Sequence, residues 1–203
     1  MLIHGSSERA LEDIKPGTID LILTDPPYVK ESLNGALDIL SRLANSLLKP
    51  SGFLVTYAGQ YHLPVFIRVL NHGIEYYWQI MTLNNGDKPY IYSRGLMAGY
   101  KPILIFQNPP IKKISWFIHD VLEESMEKRY HPWQQPIRES ITLIKAFSHD
   151  GDLVLDPFMG SGTVPLAAKL TGRRFIGYEI EEKTFRIANE RLMQSPIISE
   201  LTC

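Results

Sequence analysis

The sequence predicts an α/β fold, a doubly wound and mostly parallel sheet, and three observations carry that prediction. Short apolar runs alternate with stretches of helical periodicity along the 203 residues. The apolar runs are continuous rather than alternating, as strands covered on both faces require. Two of them end in aspartate-proline turns, Asp25-Pro26-Pro27 and Asp156-Pro157. Open parallel sheets keep their ligands at such places, beyond the carboxyl ends of strands. The length suits one domain over residues 1–203.

Each element follows from local pattern. Asp20 to Thr24 (DLILT) reads as a buried strand ended by Asp25-Pro26-Pro27. Leu33 to Leu48 carries apolar side chains at 33, 36, 37, 40, 43, 44, 47 and 48, the period of a helix with one buried face. Pro50-Ser51-Gly52 stops it, and Phe53 to Tyr57 is a second buried strand. A helix over Leu63–Leu70 ends near Asn71 and Gly73. Tyr76 to Leu83 and Pro102 to Gln107 read as a strand pair, which brings one antiparallel strand into the sheet. The spacing then predicts a helix over Ile137–Phe147 with Ile137, Ile141, Ile144 and Phe147 on a single face. A strand at Leu153–Asp156, a helix over Gly162–Leu170 ended by Gly172, a strand at Phe175–Tyr178 and a helix from about Glu182 to Met193 complete the chain. Crossovers of this size are what adjacent parallel strands need. Two segments, 84–100 and 108–136, are longer than ordinary connections and rich in Tyr, Trp, Pro and charge, the mark of functional insertions.

Composition narrows the function classes. At 44% hydrophobic and 21% charged residues the chain reads as an ordinary globular protein, with no run near the ~18 apolar residues of a membrane span. The start lacks the basic and apolar regions of a signal peptide, so a cytoplasmic location is expected. The single cysteine, Cys203, excludes a disulfide framework and a cysteine zinc site, and the six histidines share no metal-ligand spacing. The net charge of −1 does not itself suggest nucleic acid. Between Asn84 and Lys113, however, Lys88, Arg94, Lys101, Lys112 and Lys113 face one acid, Asp87. Such a segment permits a polyanion partner; a solvated basic loop is the plainer account.

The turn Asp156-Pro157-Phe158-Met159-Gly160-Ser161-Gly162-Thr163 lies between a strand and a helix, as in nucleotide-type sites. About 20 residues on, the next strand ends at Glu179, whose carboxylate suits a pair of ribose hydroxyls. No Gly-Lys-Ser/Thr follows, so this is not a P-loop, and the spacing departs from a dinucleotide fingerprint. An adenosine cofactor without pyrophosphate fits better. Ser161 is not in the Gly-x-Ser-x-Gly setting of a hydrolase nucleophile.

At Asp25-Pro26-Pro27-Tyr28 two prolines stiffen the backbone and remove two N–H donors. What remains is a set of acceptors, the Asp25 carboxylate and a proline carbonyl, beside an aromatic face. That suits a flat ligand bearing an amino group. A base amino nitrogen is a poor nucleophile because its lone pair is delocalised into the ring, and fixed acceptors favour its pyramidal geometry as a methyl arrives. Taken alone, the tetrapeptide is more often a plain turn.

Together these residues resemble the DNA amino-methyltransferases (N6-adenine/N4-cytosine), in the permuted order with the catalytic motif before the cofactor motif. Thr24 to Tyr28 looks like the catalytic loop and Asp156 to Thr163 like the methionine-binding loop. His131-Pro132-Trp133-Gln134-Gln135-Pro136 resembles the segment leading into the cofactor site, and Phe175 to Ile180 the strand presenting the ribose-binding acid. The resemblance implies a Rossmann-like sheet holding S-adenosylmethionine on Asp156, Phe158, Gly160, Ser161, Gly162, Thr163 and Glu179. It implies catalysis by Asp25, Pro26, Pro27 and Tyr28 on a flipped base, without a metal. Aspartate at position 25 goes mainly with adenine N6 and serine with cytosine N4, which makes adenine the preference and cytosine the alternative. DNA is the implied partner, with Arg94, Lys101, Lys112 and Lys113 as candidate phosphate contacts, in a restriction–modification setting. The insertions at about 84–100 and 108–130 are small for target recognition, which leaves room for a homodimer partner.

Two departures stand out. Relatives often carry Gly-Asp near the strand before the catalytic one, whereas Gly5 is followed here by Ser6 and Ser7; the lysine before the cofactor loop is matched by Gln135. A non-catalytic subunit of the same fold, and a relative acting on RNA or a protein amide, are the rival readings. For Trp116, Trp133 and the pair Tyr90/Tyr92, ordinary packing is the default and base stacking the alternative.

Overall fold

The computed structural model of the chain describes residues 1–28, 30–83, 90–123 and 137–194. The expected His131–Pro136 segment, with Trp133 and Gln135, lies outside these, as do Lys88 and Cys203.

The chain opens with a short strand β1 (Leu2–His4) and one helical turn α1 (Ala10–Asp13), neither of which has enough residues for a readable period. Strand β2 (Ile19–Thr24), helix α2 (Lys30–Leu47), strand β3 (Leu48–Tyr57) and helix α3 (Leu63–Leu70) form the first half. Strand β4 (Glu75–Leu83) is followed by a two-stranded ribbon, β5 (Tyr90–Ile91) with β6 (Leu96–Met97), then by β7 (Tyr100–Gln107) and β8 (Val121–Leu122). The second half is α4 (Ile137–Phe147), β9 (Leu153–Asp156), α5 (Thr163–Leu170), β10 (Arg174–Glu179) and α6 (Glu182–Gln194).

Among the described residues, eight strands make one sheet in the order β1-β10-β9-β2-β3-β7-β4-β8. Every described pairing in it is parallel except those of β7, which runs against both β3 and β4. The continuous apolar runs are explained by cover on both faces. Successive side chains of a strand point to opposite faces, and Ile22 joins Leu37, Leu40 and Phe66 on one side while Leu21 and Leu23 join Leu143 and Ala167 on the other. Among the described residues no helix is long and apolar enough to cross a membrane.

One expectation is corrected and another extended. Strand β3 starts at Leu48, not Phe53, because Ile19 pairs with Leu48 and the register then shifts so that Leu21 pairs with Phe53. The intervening residues bulge away from β2, with Ser51 at φ 65°, while the Ser51 N–H and Gly52 carbonyl bond to Asn108 instead. Helix α4 holds Ile137, Ile141, Ile144 and Phe147 on one face as expected, and the structure adds buried polar groups beside them. Glu139 and Ser140 are fully buried while Ile137 and Ile141 are only half-buried, since α4 packs on α5 as well as on the sheet.

Candidate active site

Strands β2 and β9 are neighbours at the centre of the sheet, and their connections depart in opposite directions. From β2 the chain passes through α2 to β3 on one side, and from β9 through α5 to β10 on the other. This divergence opens a crevice at their carboxyl ends. The Asp25 turn leaves β2 there and the glycine turn leaves β9. The two are joined directly, because Thr24 Oγ1 donates to Asp156 Oδ1 at 2.7 Å. The same oxygen accepts the Phe158 N–H at 3.2 Å. Asp156 is 3% exposed, and burial pushes its carboxyl up to about 7; the two hydrogen bonds oppose that rise while the charges of Asp25 and Glu179 add to it.

Gly160 and Gly162 both have positive φ, 51° and 81°, but they do different things. A Cβ built on Gly162 would lie 2.9 Å from Ala188 Cβ, so this glycine lets α6 close on the loop. A Cβ on Gly160 would meet nothing within 4 Å, so here the loop faces open space. Ser161 and Thr163 turn inward instead. The buried Arg191 of α6 donates to the Ser161 carbonyl at 2.5 Å, to Ser161 Oγ at 3.0 Å and to Thr163 Oγ1 at 3.3 Å. Their side chains therefore brace the loop, and no local motif announced Arg191. Glu179, ending β10, accepts the Gly160 N–H on Oε2 at 3.0 Å and the Glu181 N–H on Oε1 at 2.8 Å. Its main-chain oxygen accepts from Gly5 at 2.8 Å, and Ser6 caps the following turn through Glu8 N–H.

An adenosine-bearing cofactor fits this arrangement at Gly160, Phe158 and Glu179. The backbone at Gly160 is free of side-chain bulk, Phe158 is half-exposed, and the half-buried Glu179 carboxylate sits against the loop.

In the Asp25 turn, Pro26 is buried and Pro27 exposed, and the Tyr28 hydroxyl donates to Asp25 Oδ1. The Tyr28 ring stacks on Phe66, centroids 6.3 Å apart. Burial first, then the Asp25 charge and the hydrogen bond to it, raises the Tyr28 hydroxyl well above its ordinary pKa, so it remains a donor. Lys101 Nζ donates to Asp25 Oδ2 at 2.6 Å. Behind it the Tyr57 hydroxyl donates to Glu139, and both side chains are buried.

The four basic candidates do not share one face. Lys101 is on Asp25, and Arg94 lies over the exposed ring of Tyr61, 5.4 Å from its centre. Lys112 and Lys113 follow the end of β7, where Asn108 N–H donates to Gly52 O, at the edge of the sheet opposite the Asp25 turn. The reason is that β7 crosses the sheet between them, and its reversal puts the amino end, with Lys101, at the Asp25 edge. Tyr90 and Tyr92 stack on each other and, like Trp116, are exposed rather than packed.

A family model described as DNA methylase matches residues 19–190. The type II methyltransferase M2.DpnII of Streptococcus pneumoniae is 28% identical over 239 residues, covering 95% of this chain and 89% of that protein. The crystal structure of the M1.HpyAVI–SAM complex superposes with a TM-score of 0.79 at 26% identity, covering 95% of this chain and 98% of that one. The PvuII DNA methyltransferase, described as cytosine-N4-specific, gives a TM-score of 0.80 at 20% identity over 97% of this chain and 87% of that one, a likeness of fold alone.

Proposed function

Because this chain belongs to the N6/N4 DNA methylase family, we propose that it transfers a methyl group from S-adenosylmethionine to the exocyclic amino group of a flipped DNA base, adenine N6 in the first place. One observation carries the reading: the Thr24–Asp156 hydrogen bond ties the Asp25 turn to the glycine turn, so acceptors for an amine and a cradle for an adenosine cofactor share one crevice.

When bound, S-adenosylmethionine supplies an activated methyl on a sulfonium. Gly160, Phe158 and Glu179 hold it, while Asp156, Ser161, Gly162 and Thr163 shape the loop from within. Asp25 accepts an N–H of the target amine, which holds the nitrogen's lone pair away from ring conjugation and balances the charge that develops on it. Pro26 and Pro27 keep the turn rigid, and Tyr28 offers its ring to the base while its hydroxyl holds Asp25. Asp25, rather than serine, favours adenine. A single methyltransferase domain with small target-recognition insertions at about 84–100 and 108–130 belongs to the same reading.

The test is incubation with methyl-labelled S-adenosylmethionine and mixed-sequence DNA, digestion to nucleosides and mass spectrometry. N6-methyldeoxyadenosine is the expected product. N4-methyldeoxycytidine would move the assignment to cytosine, and methyl uptake on RNA but not DNA would overturn the substrate class.

A further inference from the structure

Lys101 stands at a place its sequence position does not suggest. It belongs to the reversed strand β7, whose amino end lies beside the carboxyl end of β3: Tyr57 pairs with Ile103, and the Ala58 N–H donates to the Pro102 carbonyl at 2.9 Å. The reversal therefore delivers residue 101 to the edge that holds Asp25. Its ammonium lies 2.6 Å from Asp25 Oδ2, 5.2 Å from the centre of the Tyr28 ring and 4.8 Å from that of Tyr57.

Exposed ion pairs are commonly adventitious, since ordering two long side chains in water gains little. This pair is different, with the Lys101 and Asp25 side chains only 25% and 24% exposed. The cation is also held against two aromatic faces. One of these is fixed in turn, because Tyr57 is 1% exposed and its hydroxyl donates to the fully buried Glu139. Lys101 thus grips one oxygen of Asp25 while the Tyr28 hydroxyl grips the other. A carboxylate has about four acceptor directions, and these two donors take one on each oxygen.

We propose that Lys101 is a positioning residue for methyl transfer, fixing the plane and direction of the Asp25 carboxylate rather than contacting a DNA phosphate. The inference rests on the reading of Asp25 as the amine's acceptor. Free to rotate, Asp25 would present its lone pairs in many directions, and misplacement by about 1 Å is enough to cost on the order of a hundredfold in rate.

Lys101→Met, Lys101→Arg and the wild-type chain, assayed with methyl-labelled S-adenosylmethionine and DNA, separate the roles. For Lys101→Met, kcat falls about tenfold to a hundredfold, while KM for DNA and the cofactor Kd, measured by calorimetry, are unchanged. Lys101→Arg keeps a cation on Asp25 and recovers part of the loss. A raised KM for DNA at constant kcat would return Lys101 to the phosphate contacts and overturn the proposal. Equal or higher kcat in Lys101→Met would also overturn it, the second result meaning that the ammonium merely occupies the base's place. If Lys101→Met does not fold, Lys101→Gln takes its place in the same comparison. A wild-type chain that binds cofactor but methylates no DNA removes the functional reading and this role together, whereas an active wild type with an equally active Lys101→Met removes only the role.

Discussion

Gly162→Ala and Gly160→Ala make a matched pair, because the two glycines share a backbone region and differ in what lies beyond the Cα. At Gly162, φ is +81° and ψ 27°, and an L residue held in the left-handed region costs about 1–2 kcal/mol. The new methyl would also sit 2.9 Å from Ala188 Cβ and 3.2 Å from Ala188 Cα, so α6 itself has to move. Overpacking of that kind costs typically about 1–3 kcal/mol, which makes roughly 2–5 kcal/mol in all. For a domain of this size, that is a fall in Tm of roughly 4–20 °C. At Gly160, φ is +51° and, among the described residues beyond its chain neighbours, nothing lies within 4 Å of the new Cβ, leaving the strain of about 1–2 kcal/mol. Its methyl projects into the open side of the loop beside Glu179 instead, so the loss is expected in S-adenosylmethionine affinity. Thermal melts without cofactor and calorimetric titration with it test both halves. A Gly162→Ala protein that melts as high as Gly160→Ala, or a Gly160→Ala protein with wild-type cofactor affinity, would refute the division of labour.

Asp25→Ala should abolish transfer to DNA while leaving cofactor binding intact by calorimetry, since the hydrogen bond that ties the two turns together is made by Thr24 and Asp156; persistent full activity would sink the catalytic assignment. Asp156 titrates near 7 in the fold against an ordinary 3.8, so its contribution favours folding when it is protonated. That contribution is complete below about pH 4 and is lost as pH rises through 7. Between pH 5 and pH 8 the wild type should lose roughly 2–3 kcal/mol relative to Asp156→Asn in denaturant titrations, and parallel pH profiles would contradict the burial argument. Arg191→Met removes the donor from the buried Ser161 carbonyl and should cost about 1–3 kcal/mol together with a drop in cofactor affinity. An unchanged cofactor Kd would mean that the loop keeps its shape without α6.

How much of the site was legible depends on how far each signal reaches along the chain. DLILT announced a strand covered on both faces because continuous apolar character is itself the signature of two-sided burial. The Asp25 and Asp156 turns could be placed at one sheet edge because parallel strands all end there. The isoleucine and phenylalanine positions of α4 marked its apolar face but not the full buried surface, since a helix packed on both a sheet and a second helix also buries Glu139 and Ser140, which periodicity counts as polar. Arg191 carried no signal, being 28 residues from the nearest side chain it braces.

The sequence by itself determined the alternation of elements, the two loops and the acid at the end of β10, because strand and helix periods, proline stiffness and glycine conformation are properties of a few neighbouring residues. Only the tertiary structure decided what those loops touch. The hydrogen bond of Thr24 to Asp156 spans 132 residues, and the ion pair of Lys101 with Asp25 spans 76. Both exist because strand order and the reversal of β7 bring distant segments to one edge. A basic stretch in sequence is thereby divided between opposite edges of the sheet, with Lys101 drawn into the site and Lys112 and Lys113 carried away from it.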